Sequence, residues 1–202
     1  MPPSPPATTG APRAITVARP LIWASVRELD GSATAIETLY RGAVPPTLRL
    51  PAYAAYVARR LSPQCAGPDR RQRRRTSLTW YAPVSALLEA FPGRVASAGE
   101  RQAVRDQLDH CLHCLTEGTL RIRLLRPEAG PLPVDALGLT LYHRPAPAEA
   151  LFTVDRGGSV GVVAASSLET ARARLERARH HAYEPLVAAR LLADRRTRLP
   201  RP

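Results

Sequence analysis

Two short clusters contain the residues of this 202-residue chain that are best suited to chemistry, and the first is the motif HCLHC. It contains His110, Cys111, His113 and Cys114. Because Cys111 and Cys114 are three residues apart, they could share a soft metal ion on one face of a helix. Both cysteines also fall on the apolar face of the helix predicted there, where cysteine behaves as a small hydrophobic residue. We therefore expect Cys111 and Cys114 to be core residues, without a metal ion.

The second cluster is the run RRQRRR, in which each arginine could neutralise one phosphate group of a polyanion. Its arginines are Arg70, Arg71, Arg73, Arg74 and Arg75. No aromatic residue interrupts the run, so it gives nucleic-acid bases nothing to stack on. A charge run between predicted elements is also typical of a solvated connection. The run is therefore a candidate for non-specific polyanion contact, with a solvated connection as the alternative.

The basic composition of the whole chain has two possible origins. Arginine supplies all 29 basic residues, lysine and asparagine are absent, and the formal net charge is +12. A high-GC genome would explain this bias, because the codons for lysine and asparagine are AT-rich. Whatever its origin, the charge attracts polyanions and acidic partners.

The remaining composition predicts a cytoplasmic globular protein. The chain is 45% hydrophobic and 23% charged, which excludes a largely disordered protein. No apolar run approaches the roughly 18 residues that span a bilayer, so we expect no membrane partner. The N-terminus lacks the pattern of a secretory signal. Three cysteines in such a chain indicate reduced thiols rather than a disulfide framework.

The hydrophobic pattern predicts an α+β fold, with a mixed or antiparallel sheet packed against a central helix and a long C-terminal helix. The predicted strands span residues 33–44, 77–84, 119–125, 137–143, 150–155 and 159–164, and the predicted helices span 20–29, 51–61, 84–91 and 97–118 and begin again at 167. Residues 1–19 are predicted to be a disordered leader, 20–194 a single domain and 195–202 a loose tail.

Helix boundaries are the most specific local signals. Ser97 and Glu100 have the spacing of a capping box at the start of the central helix. Gly118 follows the last apolar residue of that helix and can end it in a left-handed conformation. Pro185 must kink or divide the C-terminal helix, because proline has no backbone N–H to donate.

Aromatic and arginine side chains around the first predicted strand and helix could line a cleft. They are Tyr40, Arg49, Tyr53, Tyr56 and Trp80. Arginine and aromatic residues dominate the energetics of protein interfaces, so we select Arg49, Tyr53 and Trp80 as partner- or ligand-binding residues. Arg49 is expected to point to solvent. A packed core is the alternative role for the aromatic residues.

Four sequence blocks carry a resemblance to a known family. They read VPPTLRLPAYA, DRRQRRR, DQLDHCLHCL with the following RIRLLRPEAG, and LGLTLYHRP with LFTVD. In this order and spacing, across roughly residues 33–192, they resemble the C-terminal domain of actinobacterial regulators of the WhiJ type. The matching residues of the first and third blocks are Val44, Pro45, Leu48, Tyr53, Ala54, Gln107 and Leu108.

Several polar positions of that family are changed in this chain. Pro46, Arg49 and Leu50 stand at positions that the family fills with glycine, glutamine and threonine. Val84 and Asp155 stand where a glutamate is usual. Because several of the family's polar groups are replaced together, a pocket remodelled for a small molecule is an alternative to the family's role.

The resemblance implies a regulatory domain that follows a helix-turn-helix in its relatives and acts with a small partner protein. Only about 30 residues precede the matching region here, whereas a helix-turn-helix module needs on the order of 50. We therefore expect no sequence-specific DNA binding. The resulting hypothesis is a stand-alone protein-interaction domain that influences development or antibiotic production. The alternative is a small-molecule-binding or enzymatic protein of specialised metabolism, although the sequence contains no catalytic or cofactor motif that we recognise.

Overall fold

The computed structural model describes residues 15, 17–21, 29, 31–60, 76–93, 95–129, 138–144, 151–156 and 159–199. Seven strands and five α-helices lie in these ranges. The strands are β1 Val17–Leu21, β2 Ala35–Tyr40, β3 Ser77–Ala82, β4 Leu120–Leu124, β5 Gly138–His143, β6 Leu151–Arg156 and β7 Ser159–Val163. The helices are α1 Pro51–Arg60, α2 Val84–Ala90, α3 Ala98–Thr116, α4 Ala165–His180 and α5 Pro185–Arg198.

The strands form one mixed sheet in the order β1-β7-β6-β5-β2-β3-β4. β2, β3 and β4 are parallel to one another, and the other neighbouring pairs are antiparallel. Parallel neighbours need long crossovers, which α1 and the α2–α3 pair provide. β5, β6 and β7 instead follow one another as antiparallel neighbours. The predicted α+β class is confirmed.

Helices cover both faces of this sheet. Alternate strand residues point to opposite faces, so the central strands β2, β3 and β5 contribute to two cores. The larger core joins the sheet to α1, α2, α3 and α5, and its largest side chains include Trp80, Tyr53, Phe91 and Leu108. The second core joins the other face to α4 through Leu39, Tyr81, Leu139, Leu141, Ala171, Leu175 and Ala178.

The three predicted helix boundaries are confirmed. The Ser97 hydroxyl accepts a hydrogen bond from the Glu100 backbone N–H at 3.2 Å, which caps α3. Gly118 follows α3 with a φ of 73°, a conformation in which a side chain would be strained. The C-terminal helix is divided, because α4 ends at His180 and α5 begins at Pro185.

The structure corrects three predicted boundaries. Val17–Leu21 forms β1, so the end of the segment predicted to be disordered belongs to the sheet. The same strand contains Pro20 and Leu21, so the helix predicted for residues 20–29 does not begin there. Pro20 is tolerated because β1 is an edge strand. At the other end, α5 continues to Arg198 and Leu199 is buried, so residues 195–199 are not a loose tail.

Candidate functional site

The turn between β2 and α1 contains Arg49, which is only 3% exposed. Its Nε donates a hydrogen bond to the Val44 carbonyl oxygen at 2.7 Å, and its Nη2 donates to the Tyr40 hydroxyl at 3.1 Å. The expectation that Arg49 points to solvent is therefore wrong. The guanidinium folds inward because it supplies donors to oxygen atoms of a buried turn.

Tyr53 and Trp80 are also interior residues. The Tyr53 hydroxyl donates to the Ala90 carbonyl oxygen at 2.7 Å, which ties α1 to the end of α2. The Trp80 indole N–H donates to the Tyr40 carbonyl oxygen at 3.0 Å. Because Tyr40 and Tyr56 are buried as well, the predicted cleft is wrong and its residues form packed core. Arg49, Tyr53 and Trp80 cannot be surface anchors for a partner protein in this conformation.

Gln107 of α3 holds the same turn from the other side. Its side chain is fully buried. Its Nε2 donates to the Leu48 carbonyl oxygen at 2.9 Å, and its Oε1 accepts from the Leu50 backbone N–H at 2.7 Å. One glutamine side chain therefore hydrogen-bonds a backbone donor and a backbone acceptor of this turn, which lie outside any helix or sheet hydrogen-bonding pattern. The resemblance pointed to Gln107, but not to this role.

A polar cluster on the α4 face of the sheet is centred on Glu37 of β2. Arg179 of α4 donates to both carboxylate oxygens, from Nε at 2.8 Å and from Nη2 at 2.7 Å. The Tyr81 hydroxyl donates to one of these oxygens at 3.1 Å. Nε2 of His143 lies 2.8 Å from the other. No sequence motif marks this cluster, because its four residues come from four separate elements.

The cluster favours the ionised form of Glu37. Burial by itself raises the pKa of Glu37, but the hydrogen bonds from Arg179 and His143 and the charge of Arg179 together outweigh it, so that the pKa is lowered. Burial, followed by the neighbouring Glu37 carboxylate, raises the pKa of Tyr81 to about 12. Since four hydrogen bonds engage its two oxygens, Glu37 serves to fasten α4 to the sheet, not to bind a ligand.

The cysteines of the HCLHC motif are buried in the larger core, as predicted. Burial raises the pKa of Cys111 to about 12 and also raises that of Cys114. Such thiols remain protonated near neutral pH and make poor nucleophiles. In the described ranges, no three His, Cys, Asp or Glu side chains are grouped so that they could hold a metal ion.

Two further sequence predictions concern charge and membranes. Arg70, Arg71, Arg73, Arg74 and Arg75 lie outside the described residues. Across the helices that the structure does describe, none combines the length and apolar character needed to cross a membrane.

The large apolar side chains that are exposed among the described residues belong to two segments of the chain. Within the described ranges, the large hydrophobic residues with exposed side chains are Val84, Leu88, Tyr183, Leu186 and Val187. Leu186 is the most open of them, with 58% of its surface exposed. We call these five residues the apolar patch. They belong to α2, to the first turn of α5 and to the segment just before α5.

Backbone hydrogen bonds explain why these separate segments meet. The Leu125 N–H donates to the carbonyl oxygen of Ala82, two residues before α2, at 2.8 Å. The Tyr183 N–H donates to the Leu124 carbonyl oxygen, also at 2.8 Å. The carboxyl ends of β3 and β4 therefore bring the start of α2 and the start of α5 to the same edge. Clustering of this kind marks interaction surfaces more often than isolated exposed residues do.

Comparison with known proteins places the chain in one family. Residues 23–194 match the family described as "Domain of unknown function (DUF5753)". This chain belongs to that family. No curated protein and no solved structure matches the chain. The family match covers nearly all of the two cores and the whole apolar patch.

Proposed function

We propose that this DUF5753 domain is a regulatory protein-interaction domain that binds a partner protein through the apolar patch. One observation carries the proposal: within the described ranges, the exposed large hydrophobic side chains all belong to α2, to the first turn of α5 or to the segment just before α5, whose starts meet at the carboxyl ends of β3 and β4. Exposing the apolar patch to water costs roughly 25 cal/mol per Å² of apolar surface. A partner protein that covers the patch would remove this cost.

The resemblance to WhiJ-type regulators supports the biological part of the proposal. By that resemblance, the domain influences development or antibiotic production in an actinobacterium and acts with a small partner protein, and we place it in the cytoplasm as the sequence composition predicts. Val84 adds a feature of this chain, since it replaces the glutamate common in those regulators. In the structure Val84 is exposed within the patch. The substitution therefore enlarges the apolar area at the point where we place the partner.

The alternative, a small-molecule-binding or enzymatic protein, has less support. It rested on the replaced polar positions of the family, among them Arg49 and Val84; Arg49 is interior, and Val84 lies exposed in the apolar patch rather than in a pocket. The polar groups of Glu37 and Gln107 are occupied by hydrogen bonds within the chain. This leaves the apolar patch as the better candidate among the described residues.

Affinity capture from an extract of the native organism tests the proposal. The bait variants are wild type, Leu186→Asp in the patch and Ala173→Asp on the exposed side of α4. We expect wild type and the Ala173 variant to retain one protein in stoichiometric amount and the Leu186 variant to lose it. Equal capture by all three baits contradicts the proposed site. A small molecule that co-purifies without any protein favours the alternative function.

A further inference from the structure

The backbone hydrogen bonds beside the apolar patch indicate whether a partner segment can bind there as a strand or as a helix. Binding of an extended segment would require an open row of backbone groups along the edge of β4. At the end of β4 next to the patch, Tyr183 N–H already bonds to Leu124 O at 2.8 Å. One step further, Arg126 N–H bonds to His181 O at 2.9 Å. The chain itself therefore covers the strand edge there, and an added strand has no partner groups.

Two helices instead present apolar side chains at helical spacing. Val84 and Leu88 are four residues apart on α2, as are Val187 and the partly buried Leu191 on α5. Residues at this spacing lie on one face of a helix and form a ridge. The two ridges are tethered at their far ends, because Nε of Arg195 on α5 donates to the carbonyl oxygen of Phe91, just after α2, at 2.6 Å. A pair of ridges fits the apolar face of a third helix.

The charge of the whole chain, rather than that of the rim, favours one kind of helix. Near the patch, the Arg126 guanidinium lies 4.8 Å from the Tyr183 ring centroid, and Arg190 is exposed one turn after Leu186. Glu89 and Glu184 are also exposed nearby, so the immediate rim is mixed in sign. The whole chain carries a formal charge of +12, and this field favours an acidic partner. It also opposes a second copy, whose charge would be the same.

We propose that the apolar patch receives an amphipathic helix of a partner protein, and that the polar face of this helix is acidic. This inference rests on the proposed function. It adds the partner's secondary structure and charge, which can fail while the interaction itself stands.

Photo-crosslinking in the native cells tests the occupant directly. A benzoylphenylalanine replaces Leu186 in the full chain, and a matched control carries the same group at Ala173 of α4. We expect position 186, and not position 173, to crosslink to one segment of another protein. That segment should have apolar residues at a spacing of three to four and an excess of Asp and Glu.

A synthetic peptide of the crosslinked segment then tests charge. Replacing its acidic residues with amides should weaken binding about three- to tenfold at low salt, and adding salt should weaken the original peptide in the same way. In the full chain, Arg126→Gln with Arg190→Gln should weaken binding of the acidic peptide by a similar factor. Arg172→Gln, on the exposed side of α4, should leave it unchanged.

Different outcomes contradict different parts of the account. Crosslinks to a second copy of the chain, to nucleic acid or to a segment that binds in extended form overturn the inference and leave the patch as an interface. Equal binding of the amide peptide overturns the acidic assignment. Absence of any crosslink specific to position 186 overturns the proposed function itself.

Discussion

At the scale of single residues, interior polar groups are matched by partners that the fold brings together. Glu37 is charged and largely buried, which is costly unless each oxygen is bonded. Arg179, His143 and Tyr81 meet that requirement from three different elements. Glu37 therefore stabilises the packing of α4 against the sheet only while its carboxylate is ionised.

Glu37→Gln should lower the free energy of unfolding by about 1–3 kcal/mol at pH 7, because the amide loses its charged pairing with Arg179. The pKa of Glu37 is lower in the folded state than in the unfolded chain. Its contribution is therefore present above the unfolded pKa of about 4.3 and is lost as the pH falls through the folded value. Urea titrations of wild type and variant across pH 3–7 measure the difference, which should shrink toward the acidic end.

The control for Glu37→Gln is Glu176→Gln. Glu176 also pairs with Arg179, but 68% of its side chain is exposed. Exposed pairs contribute little, so we expect a change below about 0.5 kcal/mol. An equal loss for both variants would show that the burial of Glu37 has no special role.

Gln107→Leu should destabilise the protein by about 2–4 kcal/mol, because it leaves the Leu48 carbonyl and the Leu50 N–H without the bonds that Gln107 provides. Gln102→Leu on the exposed side of α3 is the matched control and should change stability little. Thermal unfolding followed by circular dichroism compares the two. A small effect at Gln107 would mean that the turn is held by other contacts.

Sequence reasoning at this scale succeeded for the cysteines and failed for Arg49. Helical spacing assigned Cys111 and Cys114 to an apolar face, and that depends only on local geometry. Whether the Arg49 side chain is buried depends on whether the turn around Val44 is buried under α3, and this is a property of tertiary packing. An arginine within a proline-rich turn looks exposed in a sequence, and no local signal indicates that its donors are needed inside.

At the scale of elements, the strands and helices that we describe were largely predictable. Periodicity located the central strands, and Ser97, Gly118 and Pro185 gave helix boundaries that are confirmed. The order of the strands was not predictable in the same way. β1 pairs with β7, which lies more than a hundred residues away in sequence, and no short-range pattern encodes that pairing.

Gly138→Ala should test the register between β2 and β5, where Gly138 pairs with Tyr40. A Cβ at Gly138 would clash with the Tyr40 ring, so the ring or the strand must move. We expect a loss of about 1–3 kcal/mol in chemical denaturation, as for other overpacked sites. Gly99→Ala, in the first turn of α3, meets no atom within 4 Å and should be neutral or stabilising. Equal stability of the two variants would contradict the described register.

At the scale of the whole molecule, the proposed function depends on the apolar patch and not on the residues of the core. Arg49, Tyr53 and Trp80, the partner contacts predicted from the sequence, instead stabilise the fold around the β2–α1 turn. The apolar patch could not be predicted from the sequence, because Val84 and Leu186 are about one hundred residues apart. Only the sheet, by placing the ends of β3 and β4 side by side, makes them one surface.

Hydrogen–deuterium exchange, measured on the free domain and on its complex with the captured partner, tests the central claim most directly. If the apolar patch is the interface, amides of α2, of residues 183–187 and of the first turns of α5 should exchange more slowly in the complex. Amides on the exposed side of α4 should not change. Protection confined to α4 or to residues 70–75, with α2 and α5 unaffected, would contradict the account.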